Sequence, residues 1–101
     1  MLTIQKTIQN GNAVVSPEGR LDTVTAPELE GVLKEILPGL TDLTLDLTKL
    51  EYISSAGLRV LMAAHKAMAA AGGTMKIVHP NAMVLGVLEI TGLNSVFAVE
   101  A

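Results

Sequence analysis

The chain has no cysteine. That removes disulfides and thiolate metal sites, and it fits a reducing compartment. Nor is there a basic excess: 7 Lys and Arg stand against 10 Asp and Glu, for a net charge of −3. Without a cluster of cations, nucleic acid is a poor partner. Long apolar runs are missing too. The longest, residues 82–88, is interrupted by Gly86 and is far too short to span a bilayer. The opening Met-Leu-Thr-Ile-Gln-Lys lacks the continuous apolar core of a signal peptide. A cytoplasmic protein that does not enter a membrane is expected.

Catalytic equipment is equally sparse. Asp22 and Asp46 are the candidates for paired carboxylates, but neither has a histidine close in sequence. A turn role for Asp22 and a cap or salt bridge for Asp46 are the simpler readings. His65 falls mid-helix and His79 in a turn before Pro80, which is no metal-binding spacing. No Gly-x-Ser-x-Gly elbow and no phosphate-binding glycine loop is present. The chain reads as no enzyme, with no metal and no cofactor.

What is there suits one domain over residues 1–101. Half the residues are hydrophobic and only 17% are charged, enough for a core and too apolar for disorder. Residues 2–8 and 13–19 read as strands around the turn Asn10-Gly11-Asn12, so they pair antiparallel. Pro17 belongs near the end of the second strand or at a bulge. Thr25 and Glu28 resemble a capping box, with Pro27 in the first turn. Leu29, Val32, Leu33, Ile36 and Leu37 then follow at helical spacing and define one buried face.

Residues 43–47 alternate as a third strand. A helix over about 56–71 ends at Gly72-Gly73. Residues 74–78 form a fourth strand, Asn81 caps a helix over about 82–90, and residues 95–98 suggest a short last strand. Strands alternating with helices imply parallel pairing. The expected fold is α/β: a mixed sheet with an antiparallel N-terminal hairpin and parallel strands packed by helices.

The stretch from Asp46 to Leu61 is the most informative. It reads as a strand end, a short loop, two serines and an abrupt amphipathic helix. A helix start offers unpaired N–H groups and the positive end of the macrodipole. A phosphate added there is tolerated. Ser54 or Ser55 can be a simple N-cap, worth about 1 kcal/mol. Two adjacent hydroxyls leave one free. Gly57 weakens the first turn, and its small size suggests close approach by a partner. On the helix, Leu58, Leu61, His65 and Met68 share one face, and Arg59, Met62, Ala63, Lys66 and Ala70 lie toward another. The second face is either an ordinary half-buried surface or a docking face for a protein.

Loops beyond the carboxyl ends of parallel strands gather function in such sheets. Residues 19–25 form one such loop and residues 49–55 another. If their strands are neighbours, Asp22 and Ser55 share a rim.

Three segments carry a family resemblance: Gly19-Arg-Leu-Asp-Thr-Val-Thr-Ala26, Leu45-Asp-Leu-Thr-Lys-Leu-Glu-Tyr-Ile-Ser-Ser-Ala-Gly-Leu58 and Leu88-Glu-Ile-Thr-Gly-Leu93. Over nearly its whole length the chain resembles the STAS family, of the anti-sigma factor antagonist type. The resemblance implies a mixed sheet packed by about three to four helices. It also implies a partner, an anti-sigma factor serine kinase that uses ATP. The unmodified protein binds that kinase and frees the sigma factor, phosphorylation breaks the complex, and a serine phosphatase restores it.

Alignment on Gly57-Leu58 places the phosphorylated residue at Ser55, with Ser54 the second choice. The implied docking surface takes in Asp22, Thr23, Ser54, Ser55, Ala56, Gly57, Arg59 and Met62. The chain departs from relatives at Ser54, where an acidic residue is common, at Ala56, often Ser or Thr, and at Arg59, which replaces a glycine of sporulation-type members. The alternative within the family is a constitutive docking subunit of a lipid-transport ATPase or a stress-signalling complex.

Overall fold

The structure, a computed structural model, describes residues 2–100. Strands β1 (Leu2–Gln9) and β2 (Asn12–Leu21) form the expected antiparallel hairpin. Asn10 and Gly11 both take positive φ, 52° and 82°, the geometry of a type I′ turn. Helix α1 (Ala26–Ile36) follows, then β3 (Asp42–Asp46), β4 (Leu50–Ile53), α2 (Ser55–Ala70), β5 (Thr74–Val78), α3 (Ala82–Thr91), a 3₁₀ turn at Leu93–Ser95, and β6 (Ala98–Glu100).

The sheet runs β1-β2-β3-β5-β6, with β4 paired to β2; all pairs but β1-β2 are parallel. Ala13, Val15, Leu43, Leu45, Met75 and Ile77 are buried on the inner face. Their alternates Val14, Thr44 and Lys76 point the other way, toward solvent. Helices α1 and α2 pack on each other and on the inner face, and α3 lies against β4.

Strand β2 divides its free edge between two partners. It pairs with β3 through Val15 and with β4 from Gly19. Pro17 sits between those stretches, opposite Ile4 of β1. The Gly19 N–H donates to the Lys49 carbonyl at 3.1 Å, so the missing N–H of Pro17, two residues earlier, faces the same edge. A proline is tolerated here because no ladder bond is due at that point.

Several sequence expectations need correction. Residues 19–25 and 49–55 are not all loop, because β2 continues to Leu21 and Leu50–Ile53 is a strand. Its pairing slips between Gly19 and Arg20, so Glu51 is an extra residue. Leu50 and Ile53 therefore both point inward although three positions apart, which hides the period-two pattern. The last strand begins at Ala98, because residues 93–95 are a 3₁₀ turn. Helix α2 starts at Ser55, one residue early. Thr25 does not cap α1, which has no side-chain cap. Its hydroxyl is buried and turned back onto β2, as described below. Val32 and Leu37 are only half-buried, while Leu29, Leu33 and Ile36 form the buried face.

Candidate functional site: the rim of β2 and β4

Strands β2 and β4 run side by side to their ends, where Leu21 partners Ile53. The Ser54 N–H donates to the Leu21 carbonyl at 2.9 Å. The loop starting at Asp22 and the helix starting at Ser55 therefore leave the sheet together. The rim expected for Asp22 and Ser55 exists, built by the parallel pair β2 and β4.

The loop at Asp22–Thr25 holds its own shape. One carboxylate oxygen of Asp22 accepts from the N–H groups of Val24 at 3.0 Å and Thr25 at 3.1 Å. The Asp22 N–H donates to Thr25 Oγ1 at 2.9 Å, and that hydroxyl donates to the Arg20 carbonyl at 2.7 Å. The Thr25 N–H chiefly, with the Thr25 hydroxyl, the Val24 N–H and the Arg20 charge, holds the Asp22 carboxyl below its ordinary value despite an opposing desolvation. Asp22 is thus a turn anchor. Thr23 is exposed beside it, and Val24, which the sequence did not single out, is 82% exposed. A large apolar side chain on a fixed loop is a natural contact for a protein.

The two serines do different work. Ser54 is the N-cap of α2, in extended backbone (φ −102°, ψ 176°), and its hydroxyl accepts from the Gly57 N–H at a long 3.5 Å. Ser55 is the first helical residue; it is exposed, and its hydroxyl has no hydrogen bond among the described residues. Arg59, one turn later, is exposed on the same side of α2. Ala56 and Met62 are half-buried.

Gly57 is buried, and its expected part in partner approach is corrected. A Cβ there would stand 2.7 Å from Leu21 Cγ and 2.9 Å from Ile53 Cγ1. The residue is small because α2 starts tightly against β2 and β4.

The Arg20 guanidinium lies 4.2 Å over the Tyr52 ring, between register partners of β2 and β4. Sequence alone does not pair them, because Tyr52 meets Arg20 only through the β2–β4 register. Of the second face of α2, Arg59, Ala63, Lys66 and Ala70 are exposed and Met62 is half-buried. Between α1 and α2 runs a shallow apolar groove of about 160 Å³, lined by Leu33, Leu37, Val60 and Ala63 among others.

The remaining candidates serve structure. Asp46 accepts from the Thr48 hydroxyl at 2.5 Å and the Thr48 N–H at 3.1 Å, which closes the turn after β3. Those bonds, the hydroxyl first, hold its carboxyl low. His65 is half-buried and meets Phe97 edge-on at 5.6 Å between ring centres; its Nδ1 is buried without a partner. The His79 N–H donates to the Glu100 carbonyl at 2.8 Å. Among the described residues no three acidic or histidine side chains gather as a metal site, and no helix is long and apolar enough to cross a membrane.

The fold and rim define a class: a small mixed-sheet domain that presents a free hydroxyl at a helix start beside a fixed loop. Residues 3–101 match the STAS domain, and the chain belongs to that family. BtrV of Bordetella bronchiseptica, a protein named as an anti-sigma factor antagonist, is 33% identical over 91 residues, which is 89% of this chain and 78% of that one. The crystal structure of an anti-sigma factor antagonist from Mycobacterium paratuberculosis superposes with a TM-score of 0.89 at 28% identity, covering 99% of this chain and 86% of that one. The Bacillus cell-fate determinant SpoIIAA shares the fold. Its unphosphorylated form gives a TM-score of 0.86 at 17% identity, covering 98% of this chain and 88% of that one. Its phosphorylated form gives 0.78 at 16%, covering 98% and 91%.

Proposed function

We propose that this chain is an anti-sigma factor antagonist that works as a phosphorylation-controlled partner switch in the cytoplasm. In this reading the unmodified rim binds an anti-sigma factor serine kinase, and the sigma factor is released. Phosphorylation of Ser55 ends the binding, and a serine phosphatase restores it.

One observation carries the choice of residue. Ser54 is occupied as the cap, whereas Ser55 is exposed and unbonded at the first position of α2. A phosphate on Ser55 adds about −1.5 to −2 charges at pH 7. The helix start accommodates that charge within the chain, so refolding is not needed. Against a partner surface shaped for a neutral hydroxyl, the same charge brings bulk, repulsion and desolvation. Asp22, Thr23, Val24, Ala56, Arg59 and Met62 surround the switch and supply the contact surface, with Gly57 setting the height of the helix beneath it.

The test is calorimetric titration of the cognate anti-sigma factor kinase with three chains: wild type, Ser55→Ala and Ser55→Asp. Wild type and Ser55→Ala should bind, Ser55→Asp at least tenfold more weakly, and only the first two should free the sigma factor. Equal binding by all three would defeat the switch and leave the constitutive docking subunit as the better account.

A further inference from the structure

Helix α2 contains no aspartate or glutamate; its charged residues are Arg59 and Lys66. Arg59 therefore has no acidic neighbour on its own helix. The residues three and four positions to either side of it are Ser55, Ala56, Met62 and Ala63. Other elements do not supply an acid either. Among the described residues the ion pairs are Lys6–Glu35 and Lys76–Glu100. The Asp22 carboxylate of the neighbouring loop is engaged by the N–H groups of Val24 and Thr25. Arg20, the other arginine of the chain, is stacked on Tyr52. Arg59 is thus an exposed cation with no ion pair among the described residues.

The acid that would complete a pair belongs at Ser55. Positions i and i+4 are neighbours on a helix surface, and an anion at i with a cation at i+4 is the favourable orientation. Helical side chains lean toward the N-terminus, so a long side chain at position 59 extends over the turn that starts at Ser55. Ser54 does not share that relationship, since it lies five positions back and serves as the cap. The Ser55 hydroxyl is exposed and has no hydrogen bond among the described residues. A guanidinium presents two parallel N–H donors to phosphate oxygens, which an ammonium does not.

We propose that Arg59 binds the phosphate once Ser55 carries it, closing within α2 a charge pair that the unmodified chain lacks. This inference rests on the reading of Ser55 as the modified residue. The pair offsets about one of the roughly two charges that the phosphate adds at pH 7. It also fixes the group against α2 and turns the guanidinium from the docking surface toward its own chain. Phosphorylation then changes the rim in two ways: an anion arrives and a cation is taken up.

The test uses the full chain with phosphoserine placed at position 55 during translation, so no kinase is needed. Phosphorus NMR at low salt follows the second ionisation of the phosphate, ordinarily near a pH of about 6. Arg59→Gln should titrate about 0.2–0.4 pH unit higher than wild type, the size of one helical ion pair. Arg59→Lys should recover at least half of that shift. The helix end acts equally on all three chains, so the difference reports position 59. A second readout needs no substitution, because the chain holds only two arginines. Phosphorylation should move the side-chain Nε–H signal of Arg59 and leave that of Arg20 in place. Equal titration of wild type and Arg59→Gln, or a phosphate that moves Arg20 instead of Arg59, would overturn the pair. These readouts are separate from the kinase titration. Loss of kinase binding with an unmoved Arg59 signal would sink the pair and leave the switch standing. A moved Arg59 signal with kinase binding unchanged would do the reverse.

Discussion

The Ser54 amide donates to the Leu21 carbonyl across 2.9 Å, and that bond ties the loop after β2 to the start of α2. Because both segments leave the sheet there, the loop and the helix start stand side by side. The roles of the adjacent serines can be separated by experiment. Ser54→Ala removes a cap whose hydrogen bond is long, 3.5 Å, so it should destabilise the protein by about 0.5–1 kcal/mol. Ser55→Ala should change stability by less than about 0.5 kcal/mol. Urea titrations measure both, and a larger loss for Ser55→Ala would reverse the assignment.

Gly57 and Gly31 give a paired test of packing. Glycine to alanine inside a helix normally stabilises by up to about 1 kcal/mol. Gly31 in α1 has nothing within 4 Å of the added Cβ, so Gly31→Ala should follow that rule. At Gly57 the Cβ would lie 2.7 Å from Leu21 Cγ. Gly57→Ala should therefore destabilise, by about 1–3 kcal/mol, as over-packed cores do. Thermal melts of the two proteins should shift in opposite directions.

Asn81 joins two elements at once. It caps α3 through the Val84 N–H at 2.8 Å and donates to the Leu50 carbonyl of β4 at 3.0 Å. Asn81→Ala should lose about 1–2 kcal/mol, while Asn81→Asp keeps the cap but not the donor to Leu50. Chemical denaturation should rank the three as wild type, Asp, Ala. An alanine variant as stable as wild type would show that α3 is held by Val84 and Leu88 alone.

The Asp22 loop has a defined acid limit. Its carboxyl is lowered, chiefly by the Thr25 N–H, so the folded state favours the ionised form. That contribution is complete above the unfolded value of about 3.9 and is lost as pH falls through the lower folded value. Nothing should change between neutrality and about pH 5. NMR titration should find Asp22 ionising below the ordinary range, and Asp22→Asn should blunt the acid response of the Val24 and Thr25 amides. An ordinary Asp22 value would mean that the loop is not held by these bonds.

Most of the fold was legible because its signals are local. Asn10-Gly11 demands a tight turn, Leu43 and Leu45 alternate cleanly, and Asn81 stands directly before its helix. What escaped depends on non-local geometry. Leu50 and Ile53 look out of phase until the slip opposite Gly19 and Arg20 is known. Thr25 has the composition of a cap, but burial turns its hydroxyl back to Arg20. The serine pair pointed to the rim, yet the exposed Val24 and the Arg20–Tyr52 stack need three-dimensional neighbours to be noticed. The need for glycine at position 57 comes from crowding by Leu21, thirty-six positions away, which no local pattern shows.

The split between Ser54 and Ser55 has a consequence for reversibility. One hydroxyl anchors the helix, so the other carries no structural weight. Under the proposed switch, a position of that kind can be rewritten chemically any number of times without fatigue in the scaffold. In that reading the chain keeps no memory in its shape, and the lifetime of each state is set wholly by whatever writes and erases the mark.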